Sequence, residues 1–153
     1  MDNIEFRTPL NFKEYKKYNL FRWKILRKPI GKSISSLKDD FEDSSYHLIA
    51  LKNNIIIACG RLHFNSYEEA QIRYMAVEKN FQGKGIGKQI LRLLEARAIK
   101  ENAVKIIINA RDHVLNFYKK SGYKIVSKVD GSDTGIPHTT MDKKIWLTFV
   151  NKK

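Results

Sequence analysis

Apolar positions change their period twice along the chain. Phe12, Tyr15, Trp23 and Leu26 recur at helical spacing, which predicts a helix over residues 12–28 with these four as its buried stripe, ended by Pro29 and Gly31. The next stretch, SSLKDDFEDSS, is polar and acidic and reads as a loop or a short second helix. The period then shortens. Residues 46–51 (YHLIAL) and 55–64 (IIIACGRLHF) are strand-like runs separated by Lys52-Asn53-Asn54, a hairpin signal. Residues 70–78 predict a third strand, and KNFQGKG after it a polar loop containing glycine. Ile86, Ile90, Leu93, Leu94 and Ala98 mark an amphipathic helix to about Lys100. Residues 104–109 (VKIIIN) form a continuous apolar run of the kind found in strands covered on both faces. A short helix over 113–122 stops at Gly122, and two last strands, YKIVSKV and HTTMDKKIWLTF, flank the loop DGSDTGIP.

This order, a helix and antiparallel strands followed by strand–helix–strand–helix–strand, predicts one mixed α/β layer structure. A chain of 153 residues with no linker, repeat or low-complexity stretch is expected to be a single domain over 1–153. With 42% apolar and 29% charged residues, composition excludes a disordered tail, a collagen-like fibre and a disulfide-stapled mini-protein. No apolar run is long enough to span a membrane. The start, MDNIEFRTPLNF, lacks the pattern of a signal peptide, and Cys59 is the only cysteine, so a cytoplasmic protein is expected. The charge is the unusual quantity: 29 Lys+Arg against 16 Asp+Glu, a net of +13. Such a surface attracts polyanions, whether nucleic acid, acidic protein, anionic lipid or a phosphate-rich cofactor.

The most informative segment is Gln82-Gly83-Lys84-Gly85-Ile86-Gly87-Lys88, between a predicted strand and a predicted helix. A helix start leaves backbone N–H groups unpaired at the positive end of the macrodipole, and glycines let that backbone close around phosphate oxygens. Lys84 and Lys88 add charge there, so the loop is expected to bind a pyrophosphate; the bland alternative is a glycine-rich turn capping a helix. No Walker GxxxxGK[ST] register exists, and in a dinucleotide GxGxxG reading Lys88 would stand at the third glycine and Lys105 at the acidic ribose ligand. What fits is [Gln/Arg]-x-x-Gly-x-[Gly/Ala], as Gln82, Gly85 and Gly87.

That pattern resembles the acetyl-CoA loop of the GNAT superfamily of N-acetyltransferases. Downstream, Asn116-Phe117-Tyr118-Lys119-Lys120-Ser121-Gly122-Tyr123 resembles the FYxxxGF/Y signature of the same superfamily, and IRYMAV resembles its fourth strand. FRWKILRKPIG, GRLHF and IPHTTM are similar to one bacterial branch, some of whose members carry an additional hot-dog thioesterase domain. The resemblance implies a sheet of six or seven strands flanked by three or four helices. It also implies acetyl-CoA as co-substrate, no metal, an amine acceptor, and last strands that pair between subunits in relatives, so that a homodimer is an option.

In the superfamily the fourth and fifth strands splay apart around the pantetheine arm. A backbone N–H among Met75, Ala76 and Val77 would then polarise the thioester carbonyl, and Val77 would pair with the pantetheine amides. Tyr118 is the implied general acid: a phenol near pKa 10 is protonated at pH 7 and can donate to a departing thiolate. Its bland alternative is a core tyrosine with a satisfied hydroxyl. Many relatives place a basic carboxylate on the fourth strand, where this chain has Arg73, Tyr74 and Met75; Glu69 and Glu78 lie only at the ends. Relatives often have a cofactor-touching Asn seven positions before the Tyr, but here it is Arg111, with Asn109 and Asn116 as substitutes. Arg22, Arg27, Arg73, Tyr74 and His138 are candidates for an acceptor pocket, suited to a carboxylate or phosphate; alternatively Arg22 and Arg27 pave a basic helix face.

Other signals are weaker. Cys59 and His63 lie four apart, roughly 13 Å along a strand, too far for one zinc. Cys59 reads instead as a small buried residue. Asp130-x-Ser132-x-Thr134-Gly135 echoes a calcium loop, but Met141 stands where the bidentate Glu belongs. A basic module binding RNA or acidic protein, and a GNAT that binds CoA without catalysis, remain the alternatives to an acetyltransferase.

Overall fold

The computed structural model describes residues 3–129 and 136–145. The chain runs β1 (Ile4–Arg7), α1 (Phe12–Arg22), β2 (Tyr46–Lys52), β3 (Ile55–Phe64), β4 (Glu69–Val77), α2 (Ile86–Lys100), β5 (Lys105–Ala110), α3 (Leu115–Lys120), β6 (Lys124–Val129) and β7 (His138–Lys144). The strands form a mixed sheet in the order β1-β2-β3-β4-β5-β7-β6, with β4 and β5 parallel.

The hairpin between β2 and β3 forms as expected. Lys52 pairs with Ile55, and Asn53 and Asn54 take φ of 51° and 64°, the left-handed pair that a two-residue turn requires. β1 is an edge strand that four residues are too few to announce by period. It pairs antiparallel with β2 and is tied to α1 by a forked bond from Arg7 to Glu14 at 2.7 and 2.8 Å. Asn11 caps α1 by accepting from the Glu14 N–H.

The face that α1 buries differs from the predicted stripe. Phe12 is 78% exposed and Tyr15 lies at the surface, whereas Tyr18 and Arg22 are fully buried. Trp23–Arg27 then forms a π-helical turn, whose extra residue shifts the register so that Arg27 is buried and Leu26 only half-buried. The helix ends as expected, with Pro29 in a 3₁₀ turn and Gly31 at φ +73°. The acidic segment makes a 3₁₀ turn over Ile34–Leu37 and buries Leu37. β5 is a correction of another kind: Ile106, Ile108 and Ala110 are buried while Ile107 is half-buried and Asn109 exposed, so one face is covered and not both.

The chain divides into two compact units, and β4 contributes to each. One holds the chain up to His63 together with Tyr74–Leu94; Tyr18, Ile49, Leu51, Ile56, Cys59 and Ala76 form its core cluster. The other holds Phe64–Arg73 and the residues from Glu95 onward. In it β4 pairs with β5 from Glu69↔Lys105 to Ile72↔Ile108, and β7 bridges β5 and β6. The parallel ladder stops at Ile72, and β4 continues to Val77 without it. The calcium-like segment 130–135 and the last residues of the final predicted strand lie outside the described residues.

Candidate functional site

The free end of β4 leads directly into the glycine loop. The Glu78 N–H bonds the Ile57 carbonyl of β3 at 2.8 Å, and the Tyr74 carbonyl accepts from the Cys59 thiol of the same strand at 3.2 Å. Successive strand N–H groups alternate between edges. The N–H groups of Met75 and Val77 therefore face the edge opposite to β3. Glu78 caps the turn over Lys79–Phe81, and the Gln82 side chain donates to the Val77 carbonyl at 3.1 Å. Gly83 and Gly85 take φ of +75° and +84°. Nothing lies within 4 Å of a Cβ placed on either, so the conformation and not crowding demands glycine. Gln89 donates to the Gly85 carbonyl, which starts α2. The N–H groups of Gly85, Ile86, Gly87 and Lys88 thus have no carbonyl a turn behind them, and they sit at the positive helix end beside exposed Lys84 and Lys88. This geometry suits a pyrophosphate.

The same unit buries three arginines: Arg22 and Arg61 at 0% exposure and Arg27 at 4%. Arg22 donates to both Glu42 carboxylate oxygens, at 3.1 and 2.5 Å, and to Asn19. Arg61 forks onto Asp39 at 2.9 and 2.8 Å and also reaches Glu42 at 3.0 Å. Burial alone would raise the Glu42 pKa, but the hydrogen bond and charge of Arg22 outweigh it and the carboxyl is lowered. His47 lies between Glu42 and Tyr18. Its Nε2 meets the Glu42 carbonyl at 2.8 Å and therefore carries the proton, leaving Nδ1 to accept from the Tyr18 hydroxyl at 2.7 Å. Burial lowers the His47 pKa, so the ring is held neutral.

Tyr74, on β4, is enclosed by this cluster. The guanidinium carbons of Arg61, Arg22 and Arg27 lie 4.8, 5.0 and 5.2 Å from its ring centroid. Its hydroxyl donates to the Leu37 carbonyl at 2.9 Å and accepts from Arg27 at 3.0 Å. The Nε atoms of Arg22 and Arg61 find no hydrogen-bond acceptor among the described residues, and the aromatic face takes up that remaining charge. Tyr74 also has φ of +57°, a conformation costing about 1–3 kcal/mol for a bulky residue unless its surroundings hold it.

The second unit carries two neighbouring tyrosines with different fates. Tyr123 donates to Glu95 at 2.8 Å, and Lys143 binds the same carboxylate oxygen at 3.2 Å. Tyr118, on α3, is 6% exposed and packs edge-on against Phe117 and Tyr123. Its hydroxyl makes no hydrogen bond to a described residue, and burial pushes its pKa up.

The model of the acetyltransferase (GNAT) domain family matches residues 20–145. The chain belongs to the GNAT acetyltransferase family. It is 30% identical over 105 residues to an uncharacterized N-acetyltransferase of Bacillus subtilis, YjcF, covering 69% of this chain and 74% of that one. In fold it is similar to an acetyltransferase of the GNAT family from Staphylococcus aureus Mu50, with a TM-score of 0.76 and 14% identity over 94% of this chain and 99% of that one. A GNAT family acetyltransferase from Elizabethkingia anophelis, solved with acetyl-CoA bound, gives a TM-score of 0.67 and 22% identity over 94% and 99%. Among the described residues, the seven-stranded mixed sheet with three α-helices is the fold expected of a GNAT protein.

Within this GNAT fold the expected site residues separate. Met75, Ala76, Val77 and the loop Gln82–Lys88 lie together in one unit. Arg22 and Arg27 neither line a free acceptor pocket nor pave a solvated face: Arg22 is locked onto Glu42, and both are packed around Tyr74. Arg73 and His138 are half-buried and belong to the other unit. There Asn109 accepts from Thr140 at 3.0 Å and Asn116 is exposed. Glu69 and Glu78 are engaged, by Lys105 and Asn65 and by the Asn80 N–H. Glu42, which binds Arg22 and Arg61, Asp39, which binds Arg61, and His47, which bonds the Glu42 carbonyl, are absent from the sequence reading. The available signal was an arginine inside the apolar run of β3 and an acidic stretch after a basic helix. No helix among the described residues is long and apolar enough to cross a membrane.

Proposed function

We propose that this protein is a cytoplasmic, acetyl-CoA-dependent N-acetyltransferase acting on a primary amine of a small molecule or peptide. The observation that supports it most is the continuity of β4 with the glycine loop. Strand N–H groups turned away from β3 run straight into a helix start with open N–H groups and two lysines. The backbone from Gly83 to Lys88, with Lys84 and Lys88, holds the CoA pyrophosphate; Asn109 and Asn116 are the remaining candidates to touch the cofactor. The amine lone pair attacks the thioester carbon and a C–N bond forms. The oxyanion takes a hydrogen bond from the N–H of Met75 or Val77, electrostatic help that needs no side chain. The C–S bond then breaks, and Tyr118 gives its proton to the thiolate. Burial keeps that phenol protonated until the thiolate appears, and a thiolate stripped of water is itself more basic.

Glu69 and Glu78 are already engaged, so the amine sheds its proton to water, which returns one to the Tyr118 phenolate. An α-amino group, with pKa about 7.7–8.0, is partly neutral at pH 7 and suits such a site better than a lysine near 10.4. With Arg22 inside the fold, Arg73 and His138 are the residues left to meet an anionic acceptor. Thermal unfolding with excess acetyl-CoA tests the reading. Ligand at 100 times its dissociation constant adds about 2.7 kcal/mol, roughly 5–11 °C for a chain of this size. Folded protein with no shift would sink it.

A further inference from the structure

An aromatic residue within a strand has no intrinsic reason to adopt φ of +57°, because its Cβ meets the clash that confines L-residues to negative φ. Tyr74 keeps that angle with its ring, its hydroxyl and its carbonyl all engaged. Three guanidinium groups surround its ring, and its hydroxyl is anchored to the Leu37 carbonyl and to Arg27. Its carbonyl accepts from the Cys59 thiol at 3.2 Å. Asp39 and Glu42 in turn fix Arg61 and Arg22. Burying so many charges is a poor way to stabilise a fold, since apolar residues of the same volume do as well or better. The arrangement converges on one backbone position, immediately before Met75 and past the last pairing of β4 with β5.

We infer that Tyr74 is a positioning residue: the arginine cage holds the left-handed turn in β4 that aims the Met75 and Val77 N–H groups at the thioester carbonyl. This rests on the reading of β4 proposed above. Rotation about the Tyr74 backbone swings the N–H groups that follow it. The N–H groups at the start of α2 are set by the helix itself. Loss of the cage should therefore separate two properties that a general loss of structure would remove together. Affinity for coenzyme A stays, and polarisation of the bound carbonyl goes.

The probe is acetyl-CoA labelled with ¹³C at the carbonyl, read by isotope-edited infrared spectroscopy, beside calorimetric titration with coenzyme A. In the unaltered protein the bound carbonyl stretch is expected below that of free acetyl-CoA. Tyr74→Phe, which keeps the ring and loses the hydroxyl anchor, should move the band part of the way back. Tyr74→Leu should return it to the free position, with coenzyme A dissociation constants within about threefold of the unaltered protein in both variants. If Tyr74→Leu does not fold, Tyr74→Phe decides alone. A shifted band that is the same in the variants as in the unaltered protein overturns the inference and leaves the proposed function standing. Parallel loss of coenzyme A affinity and band shift also overturns it, as the mark of a merely structural residue. Failure of the unaltered protein to bind acetyl-CoA removes the proposed function, and the inference with it.

Discussion

The guanidinium of Arg61 meets the carboxylate of Glu42 at 3.0 Å with the arginine side chain 0% and the glutamate side chain 14% exposed. The same carboxylate holds Arg22, so one acid bridges two buried cations. Removing it leaves charge behind in a place water does not reach, which costs about 3–5 kcal/mol. Glu42→Ala should lower the melting temperature by roughly 6–20 °C. Asp39→Ala should cost less, because Asp39 is 23% exposed and Arg61 keeps Glu42. Melting curves for the two variants check the order; equal losses would contradict it.

Gly60 makes a second prediction, from sterics alone. A Cβ added there would lie 2.7 Å from Leu94 Cδ1, 2.8 Å from Met75 Sδ and 2.9 Å from Ile90 Cγ2. These are side-chain ends, which can move, so Gly60→Ala should cost about 1–3 kcal/mol and not abolish folding. Chemical denaturation measures it, and an unchanged midpoint would mean that α2 shifts freely away from β3.

The parts of this protein that the sequence announces are those governed by neighbours along the chain. The Asn53-Asn54 turn, the alternation in β4, the stripe of α2 and the glycine loop each depend on a few consecutive residues. The cage around Tyr74 does not. It draws on α1, the acidic segment, β3 and β4, and each contribution looks polar and external in its own window. From sequence alone, Arg22 and Arg27 therefore look like pocket or surface, and Phe12 and Tyr15 like core. The π-helical turn at Trp23–Arg27 adds a register shift that no 3.6-residue period contains. For β5, exposed Asn109 ends the run VKIIIN, and three consecutive isoleucines before it mask the one-sidedness of the strand.

Acid should weaken the fold in two stages. The folded pKa of His47 is lowered, so the unfolded chain binds its proton more readily; that contribution is complete above about 6.5 and is lost as pH falls below it. Glu42 is lowered too, and Glu14 is lowered to about 2 by its bond from Arg7, so their contributions hold above about 4.5 and vanish below. Stability should decline below pH 6.5 by at most about 1.4 kcal/mol per pH unit for each proton taken up, then more steeply below 4.5. In His47→Gln the His47 share of the first stage should disappear. Unfolding free energies between pH 7 and pH 5 decide this, and an undiminished slope in the variant would refute the assignment.

Tyr118 and Tyr123 offer a paired test of catalysis against packing, because their rings touch while their hydroxyls differ. Tyr123→Phe breaks a hydrogen bond to the Glu95 carboxylate and should cost about 1.5–3 kcal/mol of stability. It should leave the chemical step alone. Tyr118→Phe removes a hydroxyl that bonds no described residue, so stability should stay within about 0.5 kcal/mol. Coenzyme A affinity should be unchanged. The acetyl-transfer kcat, with thiol release as the readout and an α-amino peptide as acceptor, should fall about 10²-fold or more, the size of a lost general acid. The opposite pattern, a destabilised Tyr118→Phe with full turnover, would make Tyr118 a core residue and leave the thiolate to find its proton in water.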